Sequence, residues 1–331
     1  YYSQISKDQI MGMASSWSSG YNYRLINAGE IENKGIEIAL NTRLIQTKDF
    51  SWDLNLNFSK NQNKVKELVD GVDMFELEKA SWLDVQVAAK VGENYGSIIG
   101  PDFQRNENGD ILIDPSTGLP MYDKSSHILG NASWDWTGGL VTTLAYKNLS
   151  LSAVFDVKVG ADLYSMSARS AYESGKALET LQGREEWYRS EEQRKAAGFP
   201  KGSPDWKPTG GFIAPGVIDN GDGTYRPNDI YINPEDYWMS VCRNAPSMFI
   251  YDNSYVKCRE LTLTYQFPKK LLKNVVDNLT ISFVARNPFI VYKNMPNIDP
   301  DSNYNNTTGM GLEYGSLPSR KSYGFNVNIK F

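Results

Sequence analysis

Residues able to carry covalent or metal chemistry are scarce in this chain. His127 is the only histidine, and Cys242 and Cys258 are the only cysteines. No Cys/His set of zinc-ligand spacing is available, and a lone histidine is most simply an ordinary polar residue. Cys258 falls in a segment of alternating polarity and Cys242 in the loop before it, so a disulfide and two separate thiols both stay open. Two acidic stretches, Asp102/Asn106/Asn108/Asp110 and Asp219/Asn220/Asp222, raise calcium as a ligand. Neither has the Gly and Glu placement of an EF-hand loop, and Asx and Gly turns account for both, so no cofactor or metal is expected. No spacing singles out the paired carboxylates of a glycosidase. The chain is therefore not expected to be an enzyme.

Recognition chemistry is better represented. Trp206, Tyr225, Tyr231, Tyr237 and Trp238 lie in a stretch crowded with Pro, Gly, Asn and Asp. Ring faces give contact area at low entropy cost, so these residues are candidates for stacking on sugar rings or for meeting a partner protein. The bland alternative is that they pack the loop against its neighbours.

The elements that would position such groups show in the alternation. From Leu149 to Val159, Leu149, Leu151, Ala153, Phe155, Val157 and Val159 alternate with Ser150, Ser152, Val154, Asp156 and Lys158, and only Val154 breaks the pattern. Successive side chains of a strand point to opposite faces, so this segment has one apolar and one polar face. Trp134 to Tyr146 repeats the pattern, joined by the two residues Lys147-Asn148, and the pair reads as a β-hairpin. Strands are expected at 33–45, 51–61, 134–146, 149–159, 254–267, 279–290 and 322–331, with residues 1–10 ending an eighth.

Connection lengths alternate as well. Short joints are followed by long ones at about 61–133, 160–253 and 292–321. Compact soluble domains rarely hold structureless loops beyond ~15 residues, whereas outer-membrane barrels pair short periplasmic turns with long extracellular loops. Trp52, Tyr146, Tyr265, Phe267 and Phe331 sit at strand ends nearest the short turns or the terminus, where an interfacial aromatic girdle belongs. Within the longest connection, 177–197 favours a helix stopped by Gly198 and Pro200.

Composition agrees. Aromatics make 12% of the 331 residues, with 20 Tyr and 8 Trp, yet mean hydropathy is -0.47. A wall with one lipid face and one polar face averages out in this way. The net charge of -5 argues against nucleic-acid binding, and no run of 18 apolar residues suggests a membrane helix.

Three stretches resemble the SusC-like (RagA-like) TonB-dependent transporters of the Bacteroidota outer membrane. They are residues 31–68, residues 252–272 (DNSYVKCRELTLTYQFPKKLL), and the run from Asn287 through DPD at 299–301 to PSRKSYGFNVNIKF. Two positions depart from the family pattern: Cys258 stands where Leu is usual, and Asp301 where Glu is usual, which leaves any role of that acidic group open. The resemblance implies an all-β fold, the last seven or eight strands of an antiparallel transmembrane barrel of about 22 strands. It also implies a nutrient importer for oligosaccharides or peptides, with the N-terminal plug and the barrel remainder supplied from outside these residues. The implied partners are a SusD-like surface lipoprotein, the TonB-ExbB-ExbD complex and outer-membrane lipid, with the loops at the cell surface. Lumen-facing Glu37, Asn41, Arg43, Asn55, Asn57, Asp156 and Lys158 would then hold the plug by hydrogen bonds. The alternative is a surface-exposed all-β glycan-binding protein without transport.

Overall fold

Eight of the alternating segments pair in chain order into one antiparallel sheet: β1 (Tyr2–Ser6), β2 (Glu30–Gln46), β3 (Phe50–Glu67), β4 (Trp136–Tyr146), β5 (Leu149–Val159), β6 (Tyr255–Gln266), β7 (Asn278–Lys293) and β8 (Ser322–Lys330). The computed structural model describes the chain apart from residues 1, 8, 9, 15–17, 19, 22, 28, 70, 80–84, 273–275 and 306. The short β1 supplies the expected eighth strand, pairing Tyr2 with Gly35 through Ser6 with Ile31. Residues 1, 8 and 9 of that expectation lie outside the described residues.

Register separates the two faces. One row of partners crosses from Ile45 through Trp52, Leu144, Leu151, Leu263 and Phe283 to Phe325. The row one residue away crosses from Gln46 through Ser51, Ala145, Ser150, Thr264 and Ser282 to Asn326. A side-chain period of two keeps these rows on opposite faces. The apolar row is not core: Ile45 is 40% exposed, Leu151 38% and Phe325 78%. An apolar sheet face of this extent, left open in a folded chain, is matched by lipid rather than water.

Strand ends depart from expectation where the cap intervenes. β2 and β3 run for 17 and 18 residues, well past the ~9–11 needed to cross a bilayer. At their far ends Ile31 and Val65 are buried together with Leu68 and Ala89, so the ladder continues into a second small core. β4 begins at Trp136 rather than at 134, because Trp134 leaves the ladder to meet the Tyr255 ring edge-on at 5.8 Å. The tight turn between β4 and β5 is as expected, with Lys147 carrying the positive φ (+52°) that a two-residue hairpin requires.

The long connections are folded, not structureless. The first carries a four-stranded sheet of Met74–Lys79, Gln86–Lys90, Ser97–Phe103 and Tyr122–Asn131. The second carries the helices α1 (Met166–Glu173), α2 (Arg184–Ala196) and α3 (Pro234–Asn244). Leu312–Glu313 of the third pairs in parallel with Tyr164-Ser165 of the second. The helix expected over 177–197 splits: Leu178–Leu181 is a 3₁₀ turn, and α2 starts only after Gly183, whose φ of +79° breaks the helical path. Gly198, at φ +78°, follows the C-cap as expected. One core joins all three connections, with Ile98 and Phe103 from the first, Tyr164, Phe212 and Phe249 from the second and Leu312 from the third. Burying each large side chain contributes about 1.5–3 kcal/mol, so the connections stabilise one another as a single cap.

Candidate functional site

The polar face of the sheet and the cap meet at a charged cluster. Lys257, on β6, is 1% exposed. Its Nζ lies 3.0 Å from Asp299 Oδ1 and 2.6 Å from Asp301 Oδ2, and it also contacts Ser319. Arg259, two residues on, reaches both Asp301 and Asp156 of β5. The Tyr255 hydroxyl donates to Asp301 at 2.9 Å. Three carboxylates thus surround two cations, which ties the third long connection to the strand wall.

Local backbone explains why both cations face the cluster. The register slips between Cys258 and Glu260, so Arg259 is the extra residue of a β-bulge. A bulge re-aims one side chain while the ladder resumes in opposite phase. Accordingly the apolar row holds Val256 and Cys258 before the bulge and Leu261 and Leu263 after it.

Burial of Asp301 opposes its ionisation, yet hydrogen bonds from Arg259 and Lys257 outweigh it and hold the carboxyl well below the usual carboxylate range. At Asp299 burial is likewise overcome, there by hydrogen bonds from Ser319, the Asp301 backbone and Lys257.

The expected lumen residues all stand on the polar face. Asn41 pairs with Asn55, and Glu37 with Ser59. Asn57 lies over Gly139, where a Cβ would come within 2.8 Å of its amide, so glycine makes room for it. Arg43 is occupied near the short-turn rim by Asp53 (2.6 Å) and Gln46 (2.7 Å). Lys158 sits 5.5 Å over the Trp134 ring. Asp156 alone of this group joins the charged cluster.

The five loop aromatics do not form one platform. Tyr237 is 3% and Trp238 7% exposed, both within the cap core. Tyr237 therefore presents almost no ring face to a ligand, because α3 lays Tyr237, Trp238, Val241 and Cys242 on its buried side. Trp206 is half-buried against Phe199 at 5.6 Å. Tyr225 and Tyr231 lie on separate short strand pairs, with Tyr231 exposed at 38%.

The remaining chemical candidates resolve locally. Asn106 accepts from the amides of Asn108 and Asp110, and Asp219 and Asp222 accept from Gly221 and Thr224, so these groups cap their own turns. Among the described residues no group of three or more His, Cys, Asp or Glu is placed to hold a metal. Cys242 and Cys258 are separate buried thiols, and burial pushes the Cys242 thiol up to about 12. Asp123, Ser125 and His127 sit together, but Asp123 (3.0 Å) and Ser125 (3.1 Å) both meet Nε2 of the ring. A catalytic triad needs the carboxylate and the hydroxyl on different ring nitrogens, so this is not one.

A sheet with a lipid-type face, short turns at one rim and a packed cap at the other is the wall of an outer-membrane β-barrel. A TonB-dependent receptor of Formosa agariphila is 25% identical over the whole chain, and the SusC receptor of Bacteroides thetaiotaomicron is 21% identical over 92% of it. The RagAB peptide importer in its closed-closed state superposes with a TM-score of 0.66 over 99% of the chain at 17% identity, a likeness of fold. No protein-family model matches the sequence. The chain is thus related along its length to the SusC-like TonB-dependent receptors, and it spans about a third of such a relative (32%).

Proposed function

We propose that this chain forms part of the barrel wall and outer cap of a TonB-dependent importer of oligosaccharides or peptides in the outer membrane of a Gram-negative bacterium. The observation that carries this reading is the continuous apolar row from Ile45 to Phe325, exposed at Ile45, Leu144, Leu151, Leu263 and Phe325 and set against a polar face and a single packed cap. Among the described residues the eight-stranded open sheet leaves unpaired edges at β1 and β8, which a bilayer does not tolerate. Further strands therefore complete the wall, and a plug domain fills the lumen, where exposed Glu37, Asn41, Asn55 and Asn57 supply its polar partners. A SusD-like lipoprotein covers the cap from outside, and the TonB-ExbB-ExbD complex opens the plug from within.

The test compares a gene deletion with its complemented strain. Uptake of a mixed peptide digest or of a mixed neutral oligosaccharide pool falls in the deletion, returns on complementation and is abolished by a protonophore. Unchanged uptake of both pools contradicts import. Release of the protein from membranes by alkaline carbonate without detergent would instead favour a surface glycan-binding protein.

A further inference from the structure

The lipid-type face changes character at its outer rim. No register shift interrupts the pairing of β2 with β3 from Ile31 to Arg43 and from Asp53 to Val65, so side chains alternate strictly over both stretches. On β3 the face of Leu56 and Phe58 therefore continues through Lys60, Gln62 and Lys64, and on β2 the face of Ile38 and Ile36 continues through Lys34 and Glu32. Height fixes what this change means. A tilted strand crosses the hydrocarbon layer in ~9–11 residues, and Lys60 comes ten residues after Phe50, where β3 leaves the short turn. Thr137 pairs with Ser59, so Trp136 stands level with Lys60, and its ring packs on Phe58 at 5.6 Å. A tryptophan at that height marks the membrane interface, so the lysines begin at headgroup level.

Three ammonium groups surround one neutral side chain there. Exposed Gln62 lies midway between Lys60 and Lys64 on β3, about 6–7 Å of strand from each, and Lys34 is its partner across the ladder. Glu32, the partner of Lys64, directs its carboxylate to Lys34 (2.5 Å) and Lys66 (2.7 Å). Further out, Lys7 neutralises Glu30 at 3.1 Å, opposite Glu67. Five lysines (7, 34, 60, 64 and 66) thus stand against three glutamates (30, 32 and 67), and among the described residues no ion pair joins Lys60 or Lys64 to a carboxylate. Like charges gathered so closely repel one another unless an anion lies among them. The excess is confined to this sector, because on the neighbouring strands the outer end of the same face holds Trp136, Val159, Val256 and Tyr292.

Position decides the occupant. The apolar stems of Lys60 and Lys64 rise from hydrocarbon level and carry their ammonium groups into the headgroup layer. The lipid that covers Leu56 and Phe58 is the molecule whose headgroup comes next, and phosphate is the anion that lysine clusters hold at a membrane surface. We infer that Lys34, Lys60 and Lys64, with Gln62 between them, form a site for the phosphate on the sugar headgroup of an outer-leaflet lipid. The lysines supply the charge, and the Gln62 amide donates to a phosphate oxygen or a headgroup hydroxyl. A second copy docked by this face would need carboxylates to meet the lysines, and the neighbouring rim offers only the uncharged groups just named. The site presupposes the barrel wall proposed above, and it takes a resident lipid rather than a cargo.

The experiment uses the full-length transporter in dodecyl maltoside, titrated with monophosphorylated lipid A and, as the contrasting probe, with the same lipid after enzymatic removal of its phosphate. Native mass spectrometry counts the bound lipid. Wild type should retain the phosphorylated lipid and release the other. The double variant Lys60→Gln/Lys64→Gln should weaken retention about thirtyfold, and Lys60→Arg/Lys64→Arg should keep it. Lys48→Gln/Lys270→Gln removes the same charge from exposed positions at the short-turn rim and should leave retention unchanged. Heat-modifiable mobility, the same in every variant, reports a folded barrel. Equal retention of both lipids, wild-type retention by the Lys60→Gln/Lys64→Gln variant, or an equal loss in the short-turn variant would each overturn the site. A change from dimer to monomer in the Lys60→Gln/Lys64→Gln variant, with the lipid count unaltered, would give this face to a second copy instead. Oxygen accessibility of spin labels along the apolar row separates the two levels: lipid contact there with indifference at the lysines removes only the phosphate site, whereas shielded labels remove the wall as well.

Discussion

Asp301→Asn perturbs the attachment of the third long connection to the sheet at its centre. Asp301 accepts hydrogen bonds from Arg259, from Lys257 and from the Tyr255 hydroxyl. The amide keeps the volume but turns a donating NH2 toward cationic donors and removes one negative charge. Breaking a buried ion pair by removing one partner costs about 3–5 kcal/mol. Lys257 is fully buried, but the Asp301 side chain is 25% exposed, so water recovers part of the loss and about 2–3 kcal/mol remains. That corresponds to a roughly 30- to 150-fold rise in local opening. Hydrogen-exchange mass spectrometry on the detergent-solubilised full-length protein reads it directly. Peptides from 295–320 should exchange faster by that factor, while peptides from the β4–β5 hairpin should not change. Acceleration below threefold, or equal acceleration in the hairpin, would refute the reasoning.

The same cluster gives a pH dependence of definite sign. Asp299 and Asp301 both ionise below the ordinary carboxylate range in the folded protein. The unfolded state therefore binds more protons, and the stabilisation is complete above the unfolded pKa of about 3.9 and is lost as pH falls toward the folded values. Protection of 295–320 should hold from pH 7 to 5 and fade only below about 4. A loss centred between pH 5 and 6 would contradict the sign.

Other expectations are local. Leu56→Arg, on the apolar face and paired mid-strand with Leu40 and Leu140, should cost about 2–4 kcal/mol of barrel stability near the bilayer midplane, read by urea titration of the heat-modifiable folded form in vesicles. Gly183→Ala places a Cβ 2.7 Å from the Gly211 backbone at φ +79°, whereas Gly198→Ala at φ +78° meets nothing within 4 Å. Only the first should loosen α2 from the cap, as faster tryptic cleavage at Arg184 and Arg189, with Gly198→Ala costing about 1 kcal/mol of strain. Intact-mass analysis without reductant should find Cys242 and Cys258 as thiols that react with maleimide only after unfolding.

The sheet was legible because lipid and lumen impose a period of two on every strand, and Leu149 to Val159 shows it almost without fault. The extra length of β2 and β3 was not, since residues 60–64 (KNQNK) carry no apolar alternation and are held as strand by pairing alone. The cap was illegible for another reason. Its strands are short and its pairings distant, as between Tyr164 and Leu312. Tyr237 and Trp238 looked like ligand aromatics in a Pro- and Gly-rich stretch. Yet Asn233 and Pro234 start a helix, and the spacing 237, 238, 241 and 242 marks a buried helix face. The charged cluster also left a trace, the odd step in apolar phase between Cys258 and Leu261, which signals the bulge that turns Arg259 inward.

Spin-label accessibility in native outer membranes tests most directly whether the apolar row faces lipid. Labels at 151, 263 and 325 should relax with dissolved oxygen in preference to an aqueous nickel chelate, whereas labels at 152, 262 and 326 should show no such preference, giving a period of two along β5, β6 and β8. If both sets favour the aqueous reagent, or if the 151, 263 and 325 labels are shielded from both reagents, the sheet is not a membrane wall.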